Sequence, residues 1–340
     1  MPSSVRFLVG FVLGAAGLIA AFAAVFLVLD ADRVLKAPSF ANRSSFDEKL
    51  RLLREESPGD VDVLLVGSST TLHGVDGAAL RTVLGQDVDL LNVGVQDIRI
   101  NQTRFLTDFF LTQFPSVEHV VMISTTLDFH YCRPEETAFF DPEKVADYLA
   151  RRKPELYFYF KYLDLTGVVT QARHIEYWRQ ADDTLEALSF DRYGSVLLDV
   201  PRENLIDEVW YGRPIVLDPP CYADLRELAL GLRERGLPFT YVLAPMRPGY
   251  LEYRDPDGRL LAEHRRRLRE ALAGTGAAFV DADAALDMPE EAFFDAYHLR
   301  RDEVPVLSRL VAEALNGARQ QHTVTGAPPV GPPAGGVPPS

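Results

Sequence analysis

Three side chains, one near residue 70 and two close together near residue 300, have the types that acyl-transfer chemistry needs. Ser69 lies in "DVLLVGSSTTLHGVD", residues 62 to 76, where an apolar run stops at a glycine and two serines and two threonines follow. Such a strand-to-helix turn is where a serine hydroxyl can be presented at the edge of a sheet. A serine after a strand can equally serve as the cap of the next helix. To act as a nucleophile it needs a base to take its proton and a third group to hold the base. His298, in "FFDAYHLRRDEVPVLSRLVAEAL", has the chemistry of the base, and Asp295, three residues before it, can orient the imidazole from within the same turn. His73 follows Ser69 by four residues and has the chemistry to compete as base, but it is expected one helical turn away and solvated.

The elements that must bring these groups together are legible as alternating patterns. Five apolar or β-branched runs read as strands: "VDVLLVG" (61 to 67), "VDLLNVG" (88 to 94), "EHVVMIST" (118 to 125), "PFTYVLAP" (238 to 245) and "AAFVDAD" (277 to 283). Helix-like segments lie between them, among them "NQTRFLTDFFLTQF", "CYADLRELALGLRERG" and "RLLAEHRRRLREALAG". Strands alternating with helices predict an α/β fold, a parallel sheet covered on both faces. Its ligand site would lie beyond the C-terminal strand ends, near the switch in strand order. Four of those ends carry polar residues, in "GSSTT", "NVGVQD", "STTLDFHY" and "APMRPGY". Residues 140 to 220 break the alternation with "ELYFYFKYLDL" and the Trp178 and Trp210 regions. They read as a helical insertion that packs over the rim or shapes a substrate groove, while most of its aromatics taken singly read as ordinary core.

Composition bounds the rest. The 340 residues are 47% hydrophobic, enough for a substantial core. The net charge of −14 argues against nucleic acid as a partner. Residues 7 to 29 form an uncharged apolar run, longer than the core of a cleaved signal peptide. Residues 1 to 30 are therefore expected to anchor the chain in a membrane, with the domain outside. Arg6, Arg33, Lys36 and Arg43 do not decide the orientation by the positive-inside rule. Residues 31 to 57 read as a tether and a short helix opened by Ser45, and 319 to 340 as a disordered Pro/Gly-rich tail. Cys132 and Cys221, the two cysteines, would be able to pair in an exported domain, and sequence leaves that open. His119, His130, His174, His264 and His322 show no metal-ligand spacing.

Over residues 58 to 318 the chain resembles the SGNH (GDSL-like) hydrolases. "VLLVGSST" is similar to their nucleophile block, "LLNVGVQD" to the second block and "FFDAYHLRRDE" to the terminal block. The resemblance implies a three-layer, flavodoxin-like fold with a five-stranded parallel sheet, and needs no cofactor. It makes Ser69 the nucleophile, His298 the general base and Asp295 its orienting group. Ser68 stands where the family usually has Asp. The second-block oxyanion donor falls by spacing on Asp97, with Gly94 three residues earlier, so that a backbone N–H of either is implied. A carboxylate at Asp97 would oppose an oxyanion unless turned away. Thr126 stands in for the third-block asparagine. Arg247 and Tyr250, in "APMRPGY", would bind a carboxylate or sugar hydroxyls, or form a structural loop. The anchor and the "GSS" block are similar to a membrane-anchored branch that includes alginate O-acetylation and teichoic acid D-alanylation proteins. That likeness implies an esterase or O-acyltransferase acting on a cell-surface polysaccharide or small ester, with a multi-spanning membrane acyltransferase as partner. A catalytically weak subunit that binds polysaccharide is the alternative.

Overall fold

The computed structural model of the chain describes residues 2–31, 35–41, 43–162, 174–201 and 215–325. Arg33, Trp210 and the tail from residue 326 onward lie outside them. The described chain forms two compact units. One takes the N-terminal stretch through Glu55 together with Phe140–Ala181 and Glu186–Ser189; the other takes Glu56–Phe139, Asp182–Leu185 and the chain from Phe190 onward.

Thirteen α-helices are named here in chain order. They are α1 (Ser3–Ala31), α2 (Ser44–Glu56), α3 (Ser69–His73), α4 (Gly77–Leu84), α5 (Ile100–Gln113), α6 (Pro142–Leu149) and α7 (Glu155–Lys161). There follow α8 (Ile175–Gln180), α9 (Pro219–Glu234), α10 (Pro248–Arg254), α11 (Arg259–Leu272), α12 (Ala282–Ala285) and α13 (Val304–Thr325).

The second unit is built on five strands, β1 (Val63–Val66), β2 (Leu90–Asn92), β3 (His119–Ser124), β4 (Phe239–Leu243) and β5 (Ala278–Asp281). Each falls inside one of the five apolar runs. They form one sheet in the order β2-β1-β3-β4-β5, every pair parallel. This is the flavodoxin-like winding, whose order reverses between β1 and β3 and opens a crevice at their C-terminal ends. Because side chains alternate along a strand, Val63, Leu65, Val121, Ile123 and Val242 point to one face. There they pack with Leu80 of α4 and Val304, Leu307, Val311 and Leu315 of α13. Leu64, Val120, Met122 and Tyr241 belong to the opposite face and are fully buried too, so the strands read as continuous apolar runs. Cys132 and Cys221 are joined in a disulfide, tying the segment after β3 to the first turn of α9. A backbone bond from Asp218 N–H to Phe129 O (2.9 Å) and one from Cys132 N–H to Asp218 Oδ2 (3.0 Å) reinforce the same junction.

The first unit holds α1, α2, α6, α7 and α8. In α1 the stretch Ser3–Val28, 26 residues, is long and apolar enough to cross a membrane. The helix α2 begins at Ser44 rather than after Ser45, so Ser45 is buried in the first turn instead of capping it. Buried charges organise this unit: Arg51 donates to Leu35 O (2.8 Å) and Glu155 (3.0 Å), and Arg179 to Glu48 (2.9 Å). Asp47 accepts the N–H groups of Phe40 (2.9 Å) and Ala41 (3.1 Å).

The described residues of the expected insertion at 140 to 220 divide between the two units. Those between 140 and 181 cluster by contact with the N-terminal stretch. Tyr159 and Phe160 meet Phe26 of α1, and Phe158 meets Tyr148 and Phe40. The described stretch of residues 190 to 201 belongs with the sheet. Tyr193 O receives Asn92 N–H (2.7 Å), and Val196 N–H donates to Leu72 O (3.0 Å). Gly194, at φ +85, permits this approach, since a Cβ there would lie 2.5 Å from Asn92 O.

Candidate active site

The turn after β1 is set by its glycine. Gly67 has φ +146, and a Cβ there would fall 2.1 Å from Thr71 Oγ1 and 2.8 Å from Ile123 O. Only glycine fits so close to the neighbouring strand. Thr71, fully buried, fastens the turn by donating to Ile123 O (2.7 Å). Ser68 is the cap of α3, its Oγ accepting Thr70 N–H (3.3 Å). The capping function therefore belongs to Ser68, and Ser69, the first helical residue, has its hydroxyl free of that duty.

The hydroxyl of Ser69 meets His298. His298 Nε2 lies 2.9 Å from Ser69 Oγ across 229 residues of sequence. Its Nδ1 lies 2.8 and 2.9 Å from the two carboxylate oxygens of Asp295. Because Nδ1–H donates to that carboxylate, the Nε2 lone pair is turned to the serine. Asp295 also accepts the backbone N–H groups of Tyr297 (2.8 Å) and His298 (2.9 Å). A bond from Phe294 N–H to His298 O (2.8 Å) closes the same turn. Asp295 and His298 are buried, and Ser69 is half-buried. Burial alone would raise the Asp295 pKa, but the charge and hydrogen bond of His298 and the two N–H groups outweigh it and hold it below the usual carboxylate range. Asp295 thus stays ionised to orient the imidazole and stabilise its cation.

His73 is not solvated as its spacing from Ser69 suggests; it is fully buried. Its Nδ1 lies 2.8 Å from Val196 O, and its ring stands edge-on to that of His298, centroids 5.4 Å apart. The segment that buries it, around Val196, lies 123 residues away in sequence and could not be placed by local pattern.

Gly94, Thr126 and Arg247 each have a partner within the fold, and the Asp97 carboxylate is paired at the surface. Gly94 N–H donates to Asn92 Oδ1 (2.9 Å). The glycine serves close packing, since a Cβ would lie 2.7 Å from Leu72 N and 3.1 Å from Ser68 O. Asp97 has φ 55, and its carboxylate is 76% exposed and paired with Arg99 at 3.3 Å. That is the outward orientation its charge demands. Thr126, buried, directs its hydroxyl to Met246 Sδ at 3.5 Å. The Arg247 guanidinium is engaged by Glu290, and the backbone N–H of Arg247 donates to Ala296 O (3.1 Å), bracing the Asp295 to His298 turn. Tyr250 joins that brace through a hydroxyl contact with Tyr297.

Two residues of the site were not singled out from sequence. Asn92, fully buried, accepts Gly94 N–H and donates to Thr71 O (2.8 Å) and Ser195 Oγ (2.9 Å), stapling the second block to α3. Asp128, also buried, accepts Thr125 N–H (2.8 Å) and the hydroxyl of Ser68. Burial pushes its pKa up, and the Ser68 and Thr125 bonds oppose the rise. Its signal was present in "TTLD": a threonine with Asp three residues on is a capping box, which the structure forms from Thr125 and Asp128.

No family model and no curated protein matches the chain. Among solved structures it is similar to Est24, a carbohydrate acetylesterase from Sinorhizobium meliloti, at 12% identity and TM-score 0.38, over 76% of this chain and 100% of that one. It is also similar to the inhibitor-bound form of an M. smegmatis aryl esterase, at 12% identity and TM-score 0.37, over 76% of this chain and 99% of that one. Both TM-scores are below 0.5, so the chemistry of the site rests on its own geometry.

Proposed function

We propose that the chain is a membrane-anchored serine esterase or O-acyltransferase of the SGNH type, acting on acyl groups of a cell-surface polysaccharide. The observation that carries this reading is the line from Asp295 through His298 to Ser69, with 2.8 Å at Nδ1 and 2.9 Å at Nε2. In the proposed cycle Ser69 Oγ attacks an ester carbonyl as its proton passes to His298 Nε2. The tetrahedral intermediate collapses, the C–O bond to the leaving alcohol breaks, and that oxygen takes the proton from His298. Water or a sugar hydroxyl then attacks the acyl-serine, giving its own proton to His298, which returns one to Ser69. Water makes the protein an esterase, and a sugar hydroxyl makes it an O-acyltransferase.

The oxyanion is assigned to Ser69 N–H at the start of α3. With the Gly94 N–H, the Thr126 hydroxyl and Arg247 engaged by the fold, the second-block donor is the Asp97 backbone N–H, and the hole is poorer than one with a side-chain donor. One missing donor lowers the rate by about 10²–10³, so a slow enzyme is expected. The same observation favours a second reading, a polysaccharide-binding subunit without turnover. The apolar α1 supports the anchor, and the disulfide supports an oxidising compartment outside the cytoplasm. The polysaccharide and a multi-spanning acyltransferase partner rest on the sequence resemblance alone.

The test is labelling of the full chain in detergent with a serine-directed fluorophosphonate, beside Ser69→Ala and His298→Ala. Labelling of the wild type that vanishes in both variants is the expected result. An unlabelled, folded wild type that still binds acylated glycan selects the binding subunit instead.

A further inference from the structure

The aromatic helix α7 is seated against the end of the apolar helix α1, within the first unit. Phe160 lies with its ring 6.3 Å from that of Phe22 and 6.0 Å from that of Phe26. Phe26 is itself buried, in a small cluster with Leu35 and Tyr159. Two aromatics of α7 face outward: Phe160 is 41% exposed and Tyr157 38%. They are three residues apart and so share one face of the helix. Lysines border this face, Lys153 Nζ at 4.7 Å and Lys161 Nζ at 5.5 Å from the Tyr157 ring centroid, Lys153 being paired with Asp147 at 2.7 Å. Exposed aromatics ringed by lysines are the composition of a membrane–water interface, where rings sit at headgroup level and ammonium groups reach the phosphates.

The depth follows from helix geometry. The apolar stretch of α1 ends at Val28. At 1.5 Å per residue, Phe26 lies about 3 Å and Phe22 about 9 Å inside that end. Phe160 touches both, so its ring stands at the same level. Helices that lie in the interface sink about 5–10 Å into the boundary between headgroups and acyl chains. Phe22 is itself 39% exposed, and whatever medium bathes that ring also meets Phe160 beside it.

We infer that α7 is an interfacial helix whose Tyr157 and Phe160 face lies in the lipid bilayer, with Lys161 at the phosphates. This rests on the reading of α1 as a membrane span. The occupant of the exposed aromatic face is then lipid, by continuity with the lipid-facing surface of α1. The helix holds the first unit flush against the bilayer instead of on a free stalk, and it fits an anchor that stays attached, because removing α1 would strip Tyr159 and Phe160 of Phe26 and Phe22.

The experiment places one tryptophan at a time in the full chain, in a Trp178→Phe and Trp210→Phe background. The vesicles contain three parts phosphatidylcholine to one part phosphatidylglycerol, with bromine carried either near the headgroup or deep in the acyl chain. Phe160→Trp should lose most of its emission to the shallow bromine, and Phe11→Trp to the deep one. If Phe160→Trp does not fold, Tyr157→Trp reports on the same face. Quenching at Phe11→Trp with none at the α7 position would overturn the proposal while keeping the span, and blue-shifted, unquenched emission there would put a protein surface on the face instead. Absence of quenching at both positions would overturn the span and the proposal with it.

Discussion

Replacing Asp295 with Asn should disable the proposed base without unfolding the turn, and the reason lies in which oxygen does what. Oδ1 accepts the backbone N–H groups of Tyr297 (2.8 Å) and His298 (2.9 Å) and also lies 2.9 Å from His298 Nδ1, whereas Oδ2 faces Nδ1 alone, at 2.8 Å. In Asp295→Asn the carbonyl oxygen keeps the two backbone donors, which puts the amide nitrogen opposite Nδ1. The amide N–H then favours an unprotonated Nδ1, and the one oxygen near Nδ1 is already shared by two backbone donors, so the neutral imidazole is expected to carry its proton on Nε2. That proton then points at Ser69 Oγ, 2.9 Å away in the wild type, and the serine has no base. Loss of the correct tautomer in such a triad costs about 10⁴ in kcat. At about 1.36 kcal/mol per decade, that is about 5 kcal/mol of transition-state stabilisation. The assay is the rate of fluorophosphonate labelling and of hydrolysis of an activated acetate ester, with nitrogen NMR of His298 to locate its proton. A folded Asp295→Asn protein that kept more than a tenth of the wild-type rate, or whose Nδ1 still carried the proton, would refute the reasoning. The variant has an acid-stability signature too. The Asp295 pKa is depressed on folding, so its contribution is complete above the unfolded value and lost as pH falls through the lower folded one. Asp295→Asn should lack that acid limb.

Two further expectations concern stability. The disulfide closes a separation of 89 residues, for which chain entropy gives about 4–5 kcal/mol; joint replacement of Cys132 and Cys221 by Ser should lower the urea-unfolding free energy by about 2–5 kcal/mol, and an unchanged midpoint and slope would contradict this. Burial pushes the Asp47 carboxyl up to about 7 against the bonds from Phe40 and Ala41. Its contribution is therefore complete below an unfolded pKa of about 4 and lost as pH rises through about 7. Asp47→Asn keeps an oxygen for both N–H groups and should gain stability over the wild type between pH values of about 4.5 and 8. A thermal-unfolding difference that does not change with pH would exclude a buried titrating carboxyl there.

Much of the architecture was legible because it is written in local periodicity. Apolar runs bounded by turn residues mark the five strands, and apolar spacing at helical period marks α5, α9 and α11. The glycine, serine and threonine cluster after β1 marks the site's location, since a parallel sheet offers ligands only its C-terminal rim. Asp295 and His298 were readable as a pair because three residues within one turn suffice to bring carboxylate and imidazole together.

The partners of each polar atom were decided by packing between elements distant in sequence. Ser69 meets His298 only because α13 and β1 belong to one core, which brings ends 229 residues apart within hydrogen-bond reach. Ser68 rather than Ser69 became the cap, Asn92 took the Gly94 N–H, Glu290 took Arg247, and Val196 buried His73. Spacing along the chain carries none of this. The aromatic run was equally ambiguous, since a ring that lines a groove and a ring that packs on a helix have the same composition, and the end of α1 supplied the neighbours for Tyr159 and Phe160. Sequence determines which faces are apolar and which residues share a turn; tertiary structure alone decides which hydrogen-bonding atoms are left for chemistry, because a donor engaged by the fold is lost to the site.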